Sequence, residues 1–133
     1  MASRILAIQA NRPRIQLGRT VQTDQLVDYM ASRTGLNTGE VLLVAYELHD
    51  ALEYYLSLGQ PVKLDGVGTF TPDLRSDGTF IVHYRPDADL KRKLNAREAF
   101  HGRLLNRKNL GKSAAQLAAQ WNAQHPDDPV TPG

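Results

Sequence analysis

Between Asn37 and Gly59 the sequence carries one unbroken helix signal, and it is too apolar for a helix that buries a single face. Asn37 can cap it and Glu40, three residues on, can reach back to the cap's own N–H as in a capping box, while Leu36 can staple onto Val41. Val41, Val44, Ala45, Leu48, Leu52, Tyr55 and Leu56 recur at three- and four-residue spacing until Gly59 and Pro61 end the run. Leu42 and Leu43 widen the stripe, so the helix needs apolar neighbours on two sides, one of which can be a second subunit. The 133 residues leave room for one domain with short extensions. At 41% apolar the core is thin, and small domains of this kind complete their burial by dimerising.

On either side the signals are shorter. Arg4–Ile8 and Arg14–Leu17 read as two strands joined by a turn at Asn11-Arg12-Pro13. A helix is predicted from Thr23 as N-cap, burying Leu26, Val27 and Met30 and closed by Gly35. After the long helix come Val62–Leu64, the turn Asp65-Gly66, and a strand from Val67 to Leu74. Ser76-Asp77-Gly78 then turns the chain, and Thr79–Tyr84 returns with Phe80, Val82 and Tyr84 alternating against Ile81 and His83. Pro86-Asp87 opens a short helix with Leu90 and Leu94 inward. Beyond a basic connector, Ser113 and Gln116 form a capping box for a helix from Ala114 to about Gln124, with Leu117 and Trp121 on a shared face. His125–Gly133, with three prolines, reads as disordered.

The net charge of +2 hides a segregation. Residues 1–22 hold four arginines and no acid; residues 23–90 hold eleven acids against four bases; residues 91–112 hold eight bases against Glu98 alone. Such an arrangement suits a polyanion-facing segment, although a solvated helix face carries similar runs. With no cysteine, disulfides and thiolate metal sites are excluded. The apolar run near the N-terminus is too short for a signal peptide, and none approaches a membrane span. The chain therefore reads as soluble and cytoplasmic.

Taken in order, several pieces resemble the HU/IHF family of bacterial DNA-binding proteins. They are Thr23–Met30, Gly35-Leu36-Asn37, Gly59 with Pro61–Leu64, Gly66-Val67-Gly68-Thr69-Phe70 against the family's Gly-Phe-Gly-x-Phe strand, and Tyr84-Arg85-Pro86 against its Phe-Lys-Pro. The resemblance covers residues 23–95, and the additions at both ends look like the elongated HU-related proteins of bacteria. It implies an α+β, HU-like fold: two helices packed on a small antiparallel sheet with a short hairpin arm, here with extra N-terminal strands and a C-terminal helix. The divisions are a β extension over 1–22, the HU-like dimerisation and DNA-binding domain over 23–95, a basic connector over 96–112, and a short helix with disordered tail over 113–133. Phe70, Phe80 and Tyr84 would pack over the helix pair.

The resemblance also implies a homodimer whose second helices meet, with Val44, Leu48, Leu52 and Phe70 at the interface, and a nucleoid location. DNA phosphates would be met by Arg75, Arg85, Lys91, Arg92, Lys93, Arg97, Arg103, Arg107 and Lys108. One departure bears on function. Family members extend their hairpin into long basic arms tipped by a proline that wedges into the minor groove. Here thirteen residues separate Phe70 from Tyr84, with Arg75 their one base, so the expected mode is phosphate binding that does not depend on sequence and does not bend strongly. The alternative is a dimerisation scaffold that has lost DNA binding and docks a protein through Leu117 and Trp121.

No enzyme, metal site or cofactor is expected. The four histidines share no ligand spacing, and His49 with Glu53 and Asp50 reads as a solvated helix face. Gly66-Val67-Gly68-Thr69 lacks the Lys and the following helix of a phosphate loop. Ser57 and Ser113 have no His–Asp neighbours, and Ser113 is better used as a cap.

Overall fold

The computed structural model describes residues 2–131, which fold as two compact units: a terminal unit drawn from both chain ends, up to residue 19 and from residue 101 on, and a central unit of residues 20–100. In the central unit, α2 (Thr23–Thr34) and α3 (Thr38–Ser57) form a helix pair. Gln22, one residue ahead of the expected Thr23, is the N-cap of α2, and Gly35 closes the helix at φ 76°. Asn37 caps α3, its Oδ1 accepting the Glu40 N–H at 2.8 Å. The Glu40 carboxylate meets the Asn37 side-chain amide rather than the cap's backbone N–H, so only half of the expected capping box forms.

Three antiparallel strands follow in the order β2 (Val62–Leu64), β3 (Gly68–Leu74), β4 (Phe80–Pro86). The pairing runs from Gly68 opposite Pro86 to Leu74 opposite Phe80, where Arg75–Thr79 closes the hairpin with the Arg75 N–H bonded to the Thr79 carbonyl. The hairpin ends there and projects no arm. Opposite residues share a face and successive residues alternate. One face therefore carries Phe70, Pro72, Leu74, Phe80, Val82 and Tyr84; the other, mostly polar, carries Thr69, Thr71, Asp73, Ile81, His83 and Arg85. The rings of Phe70 and Tyr84 meet at 5.2 Å, and Tyr84 donates its hydroxyl to the Val67 carbonyl. The short helix α4 (Ala88–Asn95) follows, with Asp87 as its N-cap.

This unit buries very little of its apolar surface within one chain. Val27 and Val41 are its buried hydrophobic residues among those described, whereas Val44 is 62% and Phe80 81% exposed. Phe80 therefore does not pack over its own helix pair as expected; it stands clear at the closed end of the hairpin, lining an open groove of about 770 Å³ with Leu56, Pro72, Leu74 and Val82.

The terminal unit departs most from the sequence reading. Arg4–Asn11 is a helix, α1, and not a strand: the Ser3 hydroxyl accepts the Leu6 N–H, and Ala7 and Asn11, one helical turn apart, are buried. A run of four apolar residues fits a strand or a helix equally well, and packing of Ala7 with Ala118 and Val130 decides the matter. The predicted Arg14 strand exists as β1 (Arg14–Gln16), but its partner is β5 (Arg103–Leu105) from the other end of the chain. The stretch expected as a connector thus contributes a strand and a 3-10 turn, Arg107–Asn109. The last helix, α5 (Ala114–Gln124), has the full capping box of Ser113 and Gln116. Nor is the tail disordered as far as Thr131. Asn122 exchanges two hydrogen bonds with the Val130 backbone at 2.7 and 2.8 Å, and Val130 is buried. Pro132 and Gly133 lie outside the described residues.

Candidate nucleic-acid interface

The polar face of the central sheet leads to a place where cations converge on a cavity. Lys63 on β2 stands opposite Thr69, and Thr69 stands opposite Arg85 on β4, so the register sets the two bases on the same face. Pro86 and Asp87 then turn the chain into α4, whose first turn brings Lys91 to the same cleft. Lys63, Thr69, Arg85, Asp87 and Lys91 line a space of about 280 Å³. Asp87 caps α4, one carboxylate oxygen accepting the Asp89 N–H, and Lys63 Nζ lies 3.8 Å from the exposed Asp65 carboxylate, so the cleft carries three bases with two acids at its edge. The positive end of the α4 dipole adds to the field of the three bases, which suits an anion the size of a phosphate.

The other sequence-predicted bases divide into three groups. Arg92 and Lys93 point to Asp89, Arg92 in a close ion pair and Lys93 at 3.2 Å, and these cations, Lys93 foremost, hold the Asp89 carboxyl below the usual range. Arg75 sits in the hairpin turn and Arg97 just beyond α4. Arg103, Arg107 and Lys108 belong to the terminal unit, so the run of bases from Lys91 to Lys112 is shared between two units and is not one continuous segment. Lys63 was missed by sequence reasoning; the alternation Val62-Lys63-Leu64 turns it away from its apolar neighbours, but only the strand register sets it on one face with Arg85.

On the same sheet face, Asp73 accepts from the Leu74 N–H and from His83 Nε2, both at 2.8 Å, and these bonds lower its pKa, the backbone one most. His49 Nδ1 lies 3.0 Å from Asp50 Oδ1, which raises the His49 pKa; with Glu53 the ligand atoms fall within 4.8 Å of one another, all solvated. Such a group of exposed acids on a helix surface needs no ion.

Of the expected interface residues, Val44 and Leu48 are exposed and Leu52 and Phe70 half-buried. Leu117 and Trp121 answer differently. Leu117 is buried within the terminal unit; Trp121 stacks on His125 at 3.7 Å and donates Nε1–H to the Asp128 carbonyl at 2.9 Å. Leu117 and the half-buried Trp121 thus both make contacts within the terminal unit.

The sequence matches a family described as "HU domain fused to wHTH, Ig, or Glycine-rich motif" (HU-HIG) over residues 8–101, most of the chain. The chain belongs to the HU-HIG family. The central unit is accordingly an HU-like domain of the α+β class, as the order of its elements implied. Among solved structures, a point mutant of HU from Thermotoga maritima is similar at 22% identity and a TM-score of 0.48, covering 56% of this chain and 99% of that one. No curated protein matches. Among the described residues no helix is long and apolar enough to cross a membrane.

Proposed function

We propose that this HU-HIG protein is a homodimeric, architectural DNA-binding protein of the bacterial nucleoid that holds duplex DNA through its phosphates, with little dependence on sequence and without strong bending. The observation that carries the reading is the cleft of Lys63, Arg85 and Lys91 at the start of α4, on the polar face of an HU-like sheet. Three bases there release condensed counterions from the duplex, which gives binding that weakens as salt rises. The closed hairpin supports the absence of strong bending, because Arg75 at its turn has no extended arm to carry it into a groove.

Dimerisation rests on the apolar face that a single chain leaves uncovered. Val44 and Leu48 on α3, and Leu74, Phe80 and Val82 on the sheet, are all more than two-fifths exposed. A domain of about 80 residues with two buried aliphatic side chains is short of core, and a second copy supplies it.

Gel-shift titrations against duplex, nicked and single-stranded DNA at two salt concentrations test the reading. Duplex affinity should fall steeply with salt and vary little with sequence. Replacing Lys63, Arg85 and Lys91 by Ala should flatten the log–log salt dependence by about 0.9 for each phosphate that is no longer neutralised, and an end-to-end fluorescence assay should show no large bend. Absence of duplex binding at low salt sinks the proposal.

A further inference from the structure

The positive charge of this protein resides in the terminal unit and not in the HU-like one. Residues 20–100 hold eight Lys and Arg against twelve Asp and Glu, a net of −4; residues 1–19 and 101–133 hold eight against Asp127 and Asp128, a net of +6. Of those two acids, Asp128 is already engaged, both carboxylate oxygens lying 2.8 Å from the Ala2 N–H.

Tertiary structure gathers bases from both ends of the chain. In the ribbon of β1 and β5, Gln16 stands opposite Arg103 and Arg14 opposite Leu105. Opposite residues and residues two apart share a face, so Arg14 and Arg103 lie together while Ile15 and Leu104 take the other side. Asn106 Nδ2 donates to the carbonyls of Ala10 at 2.9 Å and Arg12 at 3.1 Å, and Asn109 Nδ2 donates to that of Asn11. These bonds fix the 3-10 turn, with Arg107 and Lys108, against the α1–β1 turn that holds Arg12. Arg12, Arg14, Arg103, Arg107 and Lys108 are all exposed. Among the described residues, none of the five has a carboxylate within ion-pair distance. Arg14 donates one N–H to the Gln9 carbonyl at 2.9 Å, and the remaining donors of its fork are uncommitted.

Bases gathered on one ribbon and its adjoining turn, with no acid paired to them, form a positive surface that an anion stabilises, and guanidinium forks suit phosphate oxygens. We propose that the β1–β5 ribbon and its 3-10 turn form a second phosphate-binding surface for nucleic acid, built from the two chain ends and using residues distinct from the Lys63–Arg85–Lys91 cleft. The proposal rests on the DNA-binding reading and adds a site to it.

Salt-dependent titration of the full-length protein with duplex DNA tests it, comparing the substitutions Arg14→Ser, Arg103→Ser and Arg107→Ser, combined, with the combined cleft substitutions. The ribbon variant should bind at least tenfold more weakly at low salt, with a log–log slope smaller by about 0.9 for each phosphate left unneutralised. Lys in place of Ser at the same three positions should restore most of the slope. Unchanged affinity and slope in the ribbon variant overturn the second surface while leaving the cleft intact as the DNA site. Weakening confined to the ribbon variant supports the second surface and removes the cleft, and absence of duplex binding by the unaltered protein overturns both. Trp121 emission reports whether the terminal unit is folded. If the triple variant loses that signal, Arg107→Ser with Lys108→Ser on the exposed turn is scored instead, with the same two outcomes.

Discussion

Asn109 donates its side-chain amide to the backbone carbonyl of Asn11 at 2.6 Å, across 98 positions of sequence. Asn109 is fully buried, and the Asn11 amide in turn donates to the Leu117 carbonyl at 3.3 Å. Two asparagines thereby tie the end of α1, the 3-10 turn and α5 into one unit. Replacing Asn109 by Leu leaves the Asn11 carbonyl without that buried partner, at a cost of about 1–3 kcal/mol. We expect the terminal unit of the Asn109→Leu variant to unfold at lower denaturant, followed by a red shift of Trp121. The HU-like unit, whose residues are not involved, should keep its own transition.

Gly68 and Gly66 are predicted to respond very differently to the same substitution. A Cβ at Gly68, where φ is 153°, would lie 2.4 Å from the Arg85 carbonyl oxygen and 2.6 Å from a Tyr84 ring carbon. The Arg85 carbonyl is backbone and cannot retreat without disturbing the β3–β4 pairing, so Gly68→Ala should cost more than about 3 kcal/mol and abolish the folded HU-like unit. A Cβ at Gly66 meets nothing within 4 Å, and only its φ of 81° opposes a side chain. Gly66→Ala should therefore cost about 1–2 kcal/mol. Circular dichroism melts of the two variants check the contrast.

Light scattering at micromolar concentration should give about twice the monomer mass, and the thermal midpoint should rise with protein concentration. A charge at Leu48 tests the proposed dimer face directly. Leu48 is 42% exposed in one chain, where a glutamate would be tolerated, but in a dimer joined through α3 it would be buried without a partner at a cost of several kcal/mol. Leu48→Glu should leave little folded protein; a stable monomer of unchanged midpoint would refute the dimer.

What the sequence determined by itself is the central unit. Caps such as Asn37, the breaks at Gly35 and Gly59, the alternation from Phe80 to Tyr84 and the Gly66-x-Gly68 turn are local signals, set by backbone sterics and by hydrogen bonds a few residues long. They were sufficient to place α2, α3 and the hairpin, and to imply that α3 lacks a cover. Tertiary structure alone decided the rest. Whether Arg4–Ile8 is helix or strand depended on Ala7 meeting Ala118 and Val130, and the partner of β1 lay near residue 104, beyond the reach of any periodicity. For the same reason Lys63 and Arg85 became neighbours only through the β2–β3–β4 register, and Arg14 and Arg103 only through the pairing of the chain's two ends. Local preference acts over a few residues, but side chains far apart in sequence share a surface only when the backbone hydrogen bonds between them are made.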